Sequence, residues 1–572
     1  MKNVFIAIGG SGTKVAEALV RLLGLGFPIK SENNILTSAG EQLEIWRVDP
    51  DAGSGASSDL KKCVEEYQKL QQSLDVGWCL NVKSQVHLNP LDLPKRDPID
   101  NQVRTLRGIL NSGLPNRPVA QTQPLLDLFY TPQELDVEIS RGFYQKPFIG
   151  SAVMAIYADS LRSSNRTAER ETTHADALQA LQNQDVRFFI CGSLHGGTGA
   201  SGVSVFGHLL NDEQASVQAG NEWKVAACLL APYFQPPPPF SVPADAATYT
   251  DEQILEWFEQ KKPPAASKFS AQEKKRAFRQ IAGGFYADTG KLVERAKHNL
   301  SFYDSKLQDY FEQIYIIGKP KMDDLVPAMW SNGGSNQRNP LNSAEVIAAV
   351  AALRYFSGAE LPPGEGNYIL ASSHEHLAGD GMGLHNLPKY QVGAQTIDPE
   401  RVVLATVAAR FLVAHEILWD VPVGQLEAGH ALKSLYERTP LRRDGDKEAF
   451  GEAARIIRDF TEATFDTAGG EHPKSAGWHD TVWQQLSENM PTDVAAIAAR
   501  KSSLAGERNW YGRMKVDPAA VGHSSWQVKF QEFHRWSAAY GGQFSRGGYF
   551  RHIWAQIYGD ADLKTEKPQP QQ

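Results

Sequence analysis

The stretch that decides the fold class reads Gly192-Ser193-Leu194-His195-Gly196-Gly197-Thr198-Gly199-Ala200-Ser201-Gly202. It follows an apolar run at residues 186–191 that predicts a buried β-strand, and it precedes an amphipathic run at 203–210 that predicts a helix. Glycine lets backbone N–H groups approach an anion closely, and the N-terminus of a helix favours negative charge. The pattern therefore predicts a phosphate-binding loop between a strand and a helix.

A second glycine turn lies near the start of the sequence, between a predicted strand at 3–8 and a predicted helix at 15–23. It reads Gly9-Gly10-Ser11-Gly12-Thr13-Lys14. It lacks the third glycine of a dinucleotide fingerprint, and the acidic residue expected about 20 positions later stands too far away, at Asp49. It also fails as a Walker loop, because Val15 follows Lys14. Taken alone, the turn fits an ordinary strand–helix connection as well as a phosphate site.

Further strands are predicted at 43–48, 225–231 and 313–317, with helical patterns between them. This alternation predicts an α/β fold, in which a mostly parallel sheet carries helices on both faces. Ligands of such sheets bind beyond the carboxyl ends of the strands, where both glycine segments fall. The apolar segment Ser343–Phe356 predicts a long, buried central helix.

The combination of a glycine turn after the first strand and a richer loop, Gly196 to Gly202, after the fourth resembles the tubulin/FtsZ superfamily of GTP-binding filament proteins. The resemblance covers residues 1–356 and looks closest to the large, divergent tubulin-like proteins of bacteria. It implies a tubulin-like GTPase domain that binds GTP or GDP with Mg²⁺. It also implies a protein that associates with itself head-to-tail into nucleotide-dependent filaments. The scattered cysteines are typical of core residues in a reducing compartment and predict a cytoplasmic location.

The resemblance also assigns nucleotide-binding residues. The two glycine segments supply Gly9, Gly10, Ser11, Gly12, Thr13, Lys14, Gly196, Gly197, Thr198, Gly199, Ala200 and Ser201. Asp49 and Asp51 follow the second strand, where the family keeps an acidic loop that holds Mg²⁺ through water; a role as turn or cap residues is equally open. Residues 142–150 resemble the loop that contacts the terminal phosphate, with Lys146 in the place of an asparagine, and a solvated surface lysine is the alternative.

Two asparagines resemble those with which the family reads guanine. Asn299 opens a helix predicted at 300–311, and Asn342 precedes the central helix, where Asn339 is the other candidate. Asparagine carries both a donor and an acceptor, which suits a purine edge. A role as an ordinary helix N-cap is as consistent with the sequence of Asn299 as a base contact.

The catalytic part of the family pattern is missing. Hydrolysis in this superfamily uses an Asn-x-Asp loop that should lie between residues 357 and 385, and the acids there, Glu360, Glu365 and Asp380, lack its spacing. The chain is therefore a possible GTPase with weak or absent hydrolysis, and its catalytic residues stay unassigned. The alternative function is a non-polymerising nucleotide-binding subunit of a bacterial multi-protein assembly in defence or signalling.

Composition bounds the remaining possibilities. The chain has 572 residues and a formal net charge of −8 without a basic cluster, which argues against nucleic acid or an anionic membrane as the main partner. No apolar run reaches the roughly 18 residues of a membrane span, the sequence opens directly on a strand without a signal peptide, and four scattered cysteines show no metal-ligand spacing.

The sequence predicts four parts along the chain. They are a nucleotide-binding domain at 1–342 with a surface insertion at about 236–296, the central helix at 343–358, a mixed, mainly helical C-terminal domain at 359–560 that binds other proteins, and a disordered tail at 561–572.

Overall fold

The fold was analysed in a computed structural model of the whole chain. The structure describes residues 2–24, 42–74, 81–91, 105–113, 124, 126–162, 173–235, 240–243, 245–267, 269–282, 292–318, 326–327, 342–361, 368–372, 387–388, 390–392 and 395–397. The predicted C-terminal domain at 359–560 is therefore described only in short fragments. Everything from residue 398 onward, including the predicted tail at 561–572, lies outside the described residues.

Seven parallel strands form the central sheet. The described strands are β1 (Lys2–Ile8), β2 (Gln42–Val48), β3 (Asn81–Leu88), β4 (Val186–Ser193), β5 (Trp223–Leu230), β6 (Phe234–Gln235), β7 (Gln313–Gly318), β8 (Val326–Pro327), β9 (Tyr368–Ser372), β10 (Tyr390–Val392) and β11 (Gln395–Ile397). The order across the large sheet is β3-β2-β1-β4-β5-β7-β9, and every neighbouring pair is parallel. Two small pairs stand apart from it, the parallel pair β6–β8 and the antiparallel pair β10–β11.

The described helices connect and cover these strands. They are α1 (Gly9–Gly24), α2 (Gly55–Leu74), α3 (Leu106–Gly113), α4 (Pro132–Leu135), α5 (Pro147–Leu161), α6 (Thr173–Gln179), α7 (Gly197–Glu213), α8 (Asp251–Lys261), α9 (Ala271–Ala282), α10 (Leu292–Tyr310) and α11 (Ser343–Phe356). The α/β class that the alternating pattern predicted is confirmed for this part of the chain.

Both faces of the sheet are buried, as the continuous apolar strands require. Successive side chains of β4 point to opposite faces. Phe188 contacts Trp46 and Trp223 in a core that also contains the apolar residues of α5 and α7. Phe189 packs on the other face against Phe5 of β1 and against Tyr355 and Phe356 of α11. The central helix therefore covers the face opposite α5 and α7.

The strand order creates a crevice between β1 and β4. From β1 the chain moves outward through β2 and β3, and then returns to place β4 on the other side of β1. In open α/β sheets, ligands bind beyond the carboxyl ends of the strands at this kind of reversal. Both glycine segments follow the two strands that flank it, β1 and β4.

The five strands predicted from apolar runs are all present, each within two residues of the predicted bounds. The helices, in contrast, begin earlier than predicted. The turn at 9–14 is itself the first part of α1, and α7 begins at Gly197 rather than at residue 203. The glycines thus lie in helical first turns. The central helix, Ser343–Phe356, is found as predicted.

Three further differences concern single segments. The helix predicted to open at Asn299 begins at Leu292, so this prediction was wrong and Asn299 lies inside α10. The edge strand β9 lies beyond the predicted boundary at 358, in the C-terminal domain predicted to be mixed and mainly helical, and yet it pairs with β7 of the central sheet. Within the predicted insertion at 236–296, α8 and α9 enclose an aromatic cluster of their own, which includes Phe240, Trp257, Phe258 and Phe278.

In the part of the chain that the structure describes, no helix combines the length and the apolar character that a membrane crossing needs.

Replacement of Gly12 by alanine is expected to destabilise the domain. A Cβ at Gly12 would overlap the carbonyl oxygen of Cys191 and lie 3.1 Å from the carbonyl carbon of Ala7, and neither backbone atom can move away without bending its strand. We expect a loss of about 1–3 kcal/mol in the free energy of unfolding, as for other overpacked sites. Urea denaturation followed by tryptophan fluorescence measures it.

The matched control is Gly10→Ala, because nothing lies within 4 Å of a Cβ at that position, and its φ angle is not positive. This variant is expected to unfold at the same urea concentration as the parent or at a slightly higher one. Equal stability of Gly12→Ala and Gly10→Ala would contradict the packing described for α1.

Candidate nucleotide site

The two glycine segments touch each other at the crevice between β1 and β4. Gly9 has a φ angle of +70°, which favours glycine, and the position that a Cβ would occupy lies 3.1 Å from Cβ of Thr198 and 3.3 Å from the amide nitrogen of Gly199. The backbone of the first turn therefore lies directly against the first turn of α7. This is the arrangement expected if both segments line one anion site.

Packing explains most of the glycines in the second segment. A Cβ at Gly199 would lie 2.5 Å from the amide nitrogen of Ser193, and a Cβ at Gly197 would lie 2.8 Å from the carbonyl carbon of Phe143. Substitutions at Gly197 and Gly199 therefore disturb the packing of α7, and they are poor probes of ligand binding. Gly10 is different, because the space beside it is open.

Two hydroxyl groups of the glycine segments donate to backbone carbonyls of their own helices, which leaves the first-turn amides as candidate anion donors. The hydroxyl of Thr13 donates to the carbonyl of Gly9 at 2.9 Å, and that of Ser201 donates to the carbonyl of Gly197 at 2.8 Å. Both side chains therefore bond within their own helices. Gly196 is the N-cap of α7, and no side chain caps the first turn of this helix. The amides of such a turn are the usual partners of a bound anion.

Lys14 and Ser11 belong to a buried polar cluster. Lys14 Nζ lies 3.3 Å from a carboxylate oxygen of Glu345, and the same oxygen accepts a hydrogen bond of 2.7 Å from the hydroxyl of Tyr233. The side chain of Ser11 bonds to that phenol as well. Burial raises the pKa of Glu345, whereas Lys14, Tyr233 and the Asn342 amide lower it. Lys14 thus neutralises a protein carboxylate in this structure.

Asn342 is the N-cap of α11. Its side-chain oxygen accepts a hydrogen bond of 3.0 Å from the backbone amide of Ala344. The backbone amide of Asn342 in turn donates a hydrogen bond of 2.6 Å to the side-chain carboxylate of Glu345. This reciprocal pair is a capping box, which fixes the start of the central helix. Asn342 lies in the same polar cluster as Lys14, and so it lies close to the first glycine turn.

Asp49 and Asp51 form a compact acidic loop after β2, next to the end of β1. One oxygen of Asp49 accepts from the amide of Asp51 at 3.0 Å, and one oxygen of Asp51 accepts from the amide of Gly53 at 3.1 Å. Burial raises the pKa of Asp49 from 3.8 to about 7, although the hydrogen bond from the Asp51 amide and the charge of Arg47 lower it. Carboxylates of this kind fit a hydrated Mg²⁺ ion, whose charge would favour their ionised form.

Lys146 bonds within its own segment of the protein. Its Nζ lies 2.9 Å from Glu134, which belongs to the capping box of α4, and 5.8 Å from the centre of the Phe148 ring. The loop that contains it reaches the second glycine segment through Phe143, which lies against Gly197. The structure therefore places this loop at the crevice and pairs its lysine with a carboxylate.

Asn299 reaches the second glycine segment from α10. Its side-chain nitrogen donates a hydrogen bond of 2.6 Å to the carbonyl of Leu194. The half-buried side chain therefore holds the loop that precedes α7. The structure brings Asn299 to the site, where its amide nitrogen has a protein partner.

His195 contributes no positive charge near neutral pH. The side chain is 2% exposed and lies against the rings of Tyr233 and Phe234, at 6.0 and 5.2 Å between ring centres. Burial lowers its pKa to about 4, although the Leu230 carbonyl opposes this shift. Neither ring nitrogen makes a hydrogen bond of good geometry. A neutral imidazole is therefore part of the wall beneath the crevice.

Sequence reasoning did not single out four residues near the crevice: Glu345, Tyr233, Gln145 and Arg295. Gln145 lies in the segment 142–150 that resembles a phosphate-contact loop, whereas the other three belong to no recognisable motif. For Arg295 a signal existed, because it precedes Asn299 by four residues and so shares its face of the helix. Among the described residues, no group of three or more His, Cys, Asp or Glu side chains is arranged to hold a metal ion.

Comparison of the chain with protein-family models, with curated proteins and with solved structures found no match.

Replacement of Asp49 by asparagine is expected to remove a pH dependence of stability. Between pH 3.8 and about 7, Asp49 keeps its proton in the folded chain but releases it in the unfolded chain. The raised pKa therefore stabilises the folded state fully below pH 3.8, and this stabilisation is lost as the pH rises through about 7. The stability of Asp49→Asn relative to the parent should therefore be higher at pH 8 than at pH 4, by up to roughly 4 kcal/mol. Urea denaturation at both pH values, without divalent cations, measures this difference.

Asp245→Asn serves as the control, because Asp245 is exposed. It should show the same stability relative to the parent at both pH values. An Asp49→Asn variant that follows the pH profile of the parent would show that Asp49 is ionised throughout.

Proposed function

We propose that this chain is a tubulin-like guanine-nucleotide-binding protein whose phosphate site lies in the crevice between β1 and β4. One observation carries the proposal. The backbone of Gly9 lies against Thr198 and Gly199, so that two glycine segments from separate parts of the chain line the same place. A single strand–helix connection does not need a second glycine segment beside it.

Electrostatics supports an anion as the ligand. Helix α1 begins immediately after β1, and α7 begins at Gly197, shortly after the end of the adjacent parallel strand β4, so the N-termini of both helices lie at the same crevice. Each N-terminus carries about half a positive charge from the helix dipole. Together with the first-turn amides, which have no hydrogen-bond partner within their own helix, two such termini favour a polyanion such as a triphosphate chain.

The guanine base, Mg²⁺ and head-to-tail self-association come from the resemblance to the tubulin/FtsZ superfamily. Several placements support it. The richer glycine loop follows the fourth strand, the acidic residues Asp49 and Asp51 follow the second, and Asn299 contacts the glycine loop itself. In this proposal, Asp49 and Asp51 hold a hydrated Mg²⁺ ion beside the phosphates.

A second candidate function is nucleotide binding without polymerisation, in a subunit of a larger bacterial assembly. The observation that favours it is the missing Asn-x-Asp motif between residues 357 and 385. Without a positioned carboxylate, water activation is lost, while the nucleotide site itself stays complete.

The first experiment is equilibrium binding of GTP to Gly10→Val. No atom lies within 4 Å of a Cβ at Gly10, so a valine at this first-turn position should crowd the phosphates of a bound nucleotide without disturbing the fold. We expect at least a tenfold loss of GTP affinity by isothermal titration, with an unchanged unfolding midpoint.

Gly108→Val is the matched control, because Gly108 lies in α3 and its nearest neighbour to a Cβ is Thr105 Oγ1, at an ordinary 3.5 Å. It should bind GTP like the parent. A parent protein that binds no GTP would refute the proposal, and a Gly10→Val variant that binds GTP with parental affinity would place the nucleotide elsewhere.

The second experiment separates the two candidate functions. Head-to-tail contacts are heterologous and build open filaments unless the rotation closes a ring. We therefore expect sedimentation velocity and negative-stain electron microscopy to show concentration-dependent filaments with GTP and smaller species with GDP. Particles of constant size at every concentration, with nucleotide bound, would instead support the non-polymerising subunit.

A further inference from the structure

Lys14 and Lys146, the two lysines that the sequence analysis assigned to the nucleotide, do not supply uncompensated positive charge at the crevice. Lys14 pairs with Glu345, and Lys146 pairs with Glu134, at 3.3 and 2.9 Å. Each of these lysines is therefore balanced by a carboxylate of the protein. His195 is neutral near pH 7, because burial lowers its pKa to about 4. Any side-chain cation that adds to the backbone amides of this crevice must therefore come from another element.

Arg295 of α10 supplies such a cation. One of its terminal guanidinium nitrogens donates a hydrogen bond of 2.9 Å to the side-chain oxygen of Gln145. Gln145 is a neutral amide, so this bond leaves the positive charge uncompensated, and no carboxylate among the described residues lies within ion-pair distance. The side chain is half-buried, and a guanidinium carries five N–H donors, of which the bond to Gln145 uses one.

The position of Arg295 is fixed with respect to the crevice by two neighbours. Asn299, one helical turn further on the same face of α10, bonds to the carbonyl of Leu194 just before α7. Gln145 belongs to the loop whose Phe143 lies against Gly197. The face of α10 that carries Arg295 thus lies along both loops that surround the N-terminus of α7.

The loop beside Arg295 is held in an unusual backbone conformation. Tyr144 and Gln145 have φ angles of 48° and 57°, in the left-handed region that few residues other than glycine adopt. The Tyr144 hydroxyl bonds to the carbonyl of Glu138 at 2.6 Å, and Arg295 holds Gln145. Strain of this kind concentrates at ligand-binding sites, where the surrounding contacts maintain it.

We propose that Arg295 binds the phosphate chain of the nucleotide, with Gln145 orienting its guanidinium toward the N-terminus of α7. This inference rests on the proposed function, and it names the residue that supplies the positive charge. A planar guanidinium makes paired hydrogen bonds to phosphate oxygens, which an ammonium group cannot reproduce.

The test compares GTP with guanosine, which lacks phosphate, in binding to the parent and to Arg295→Gln. We expect Arg295→Gln to lose at least tenfold in GTP affinity by isothermal titration. Its affinity for guanosine, measured by competition, should stay within twofold of the parent. Arg295→Lys should bind GTP with an affinity between those of the parent and Arg295→Gln.

Lys297→Gln is the matched control. It removes the same charge from an exposed position of α10, two residues away and so on a different face. It should leave both affinities unchanged. Parental GTP affinity in Arg295→Gln would overturn the assignment, as would an equal loss for GTP and guanosine, which would mean that Arg295 only holds the loop. A parent that binds no GTP would instead refute the proposed function itself.

Discussion

The close approach of Gly9 to the first turn of α7 is the constraint on which the rest of the site depends. It requires a residue without a side chain at the end of β1 and glycines where α7 packs against β4 and Phe143. Because β1 and β4 are adjacent and parallel, this contact brings two helix N-termini to one point of the sheet. In the proposed function, the phosphate site is therefore made largely of backbone, and its preference for an anion would follow from the fold rather than from a cluster of basic side chains.

The buried charges around the crevice have a structural role in this account. Glu345 joins three elements, since it accepts hydrogen bonds from Tyr233 and Asn342 and pairs with Lys14 of α1. Removal of one partner from such a buried ion pair typically costs about 3–5 kcal/mol. The cluster thus fixes the start of the central helix relative to the first glycine turn. In the proposed function, the groups that remain to bind the nucleotide and its Mg²⁺ ion are the backbone amides, the acidic loop and Arg295.

The sequence predicted the sheet better than it predicted the site. Strands such as β4 are continuous apolar runs that end in glycine, so both their existence and their bounds are readable. By contrast, β3 (Asn-Val-Lys-Ser-Gln-Val-His-Leu) is largely polar and was missed. Helix starts were placed too late because glycine was taken to interrupt a helix, whereas here it permits close packing in the first turn. The ion pairs of Lys14 and Lys146 could not be predicted, since they depend on partners that only the fold brings near.

A crystal structure with a non-hydrolysable GTP analogue and Mg²⁺ tests most directly whether both glycine segments bind the phosphates of one nucleotide. The account predicts phosphate oxygens within hydrogen-bond distance of backbone amides in both segments, in the turn that begins at Gly9 and in the first turn of α7. A nucleotide bound elsewhere, or phosphates that touch only one of the two segments, would contradict it.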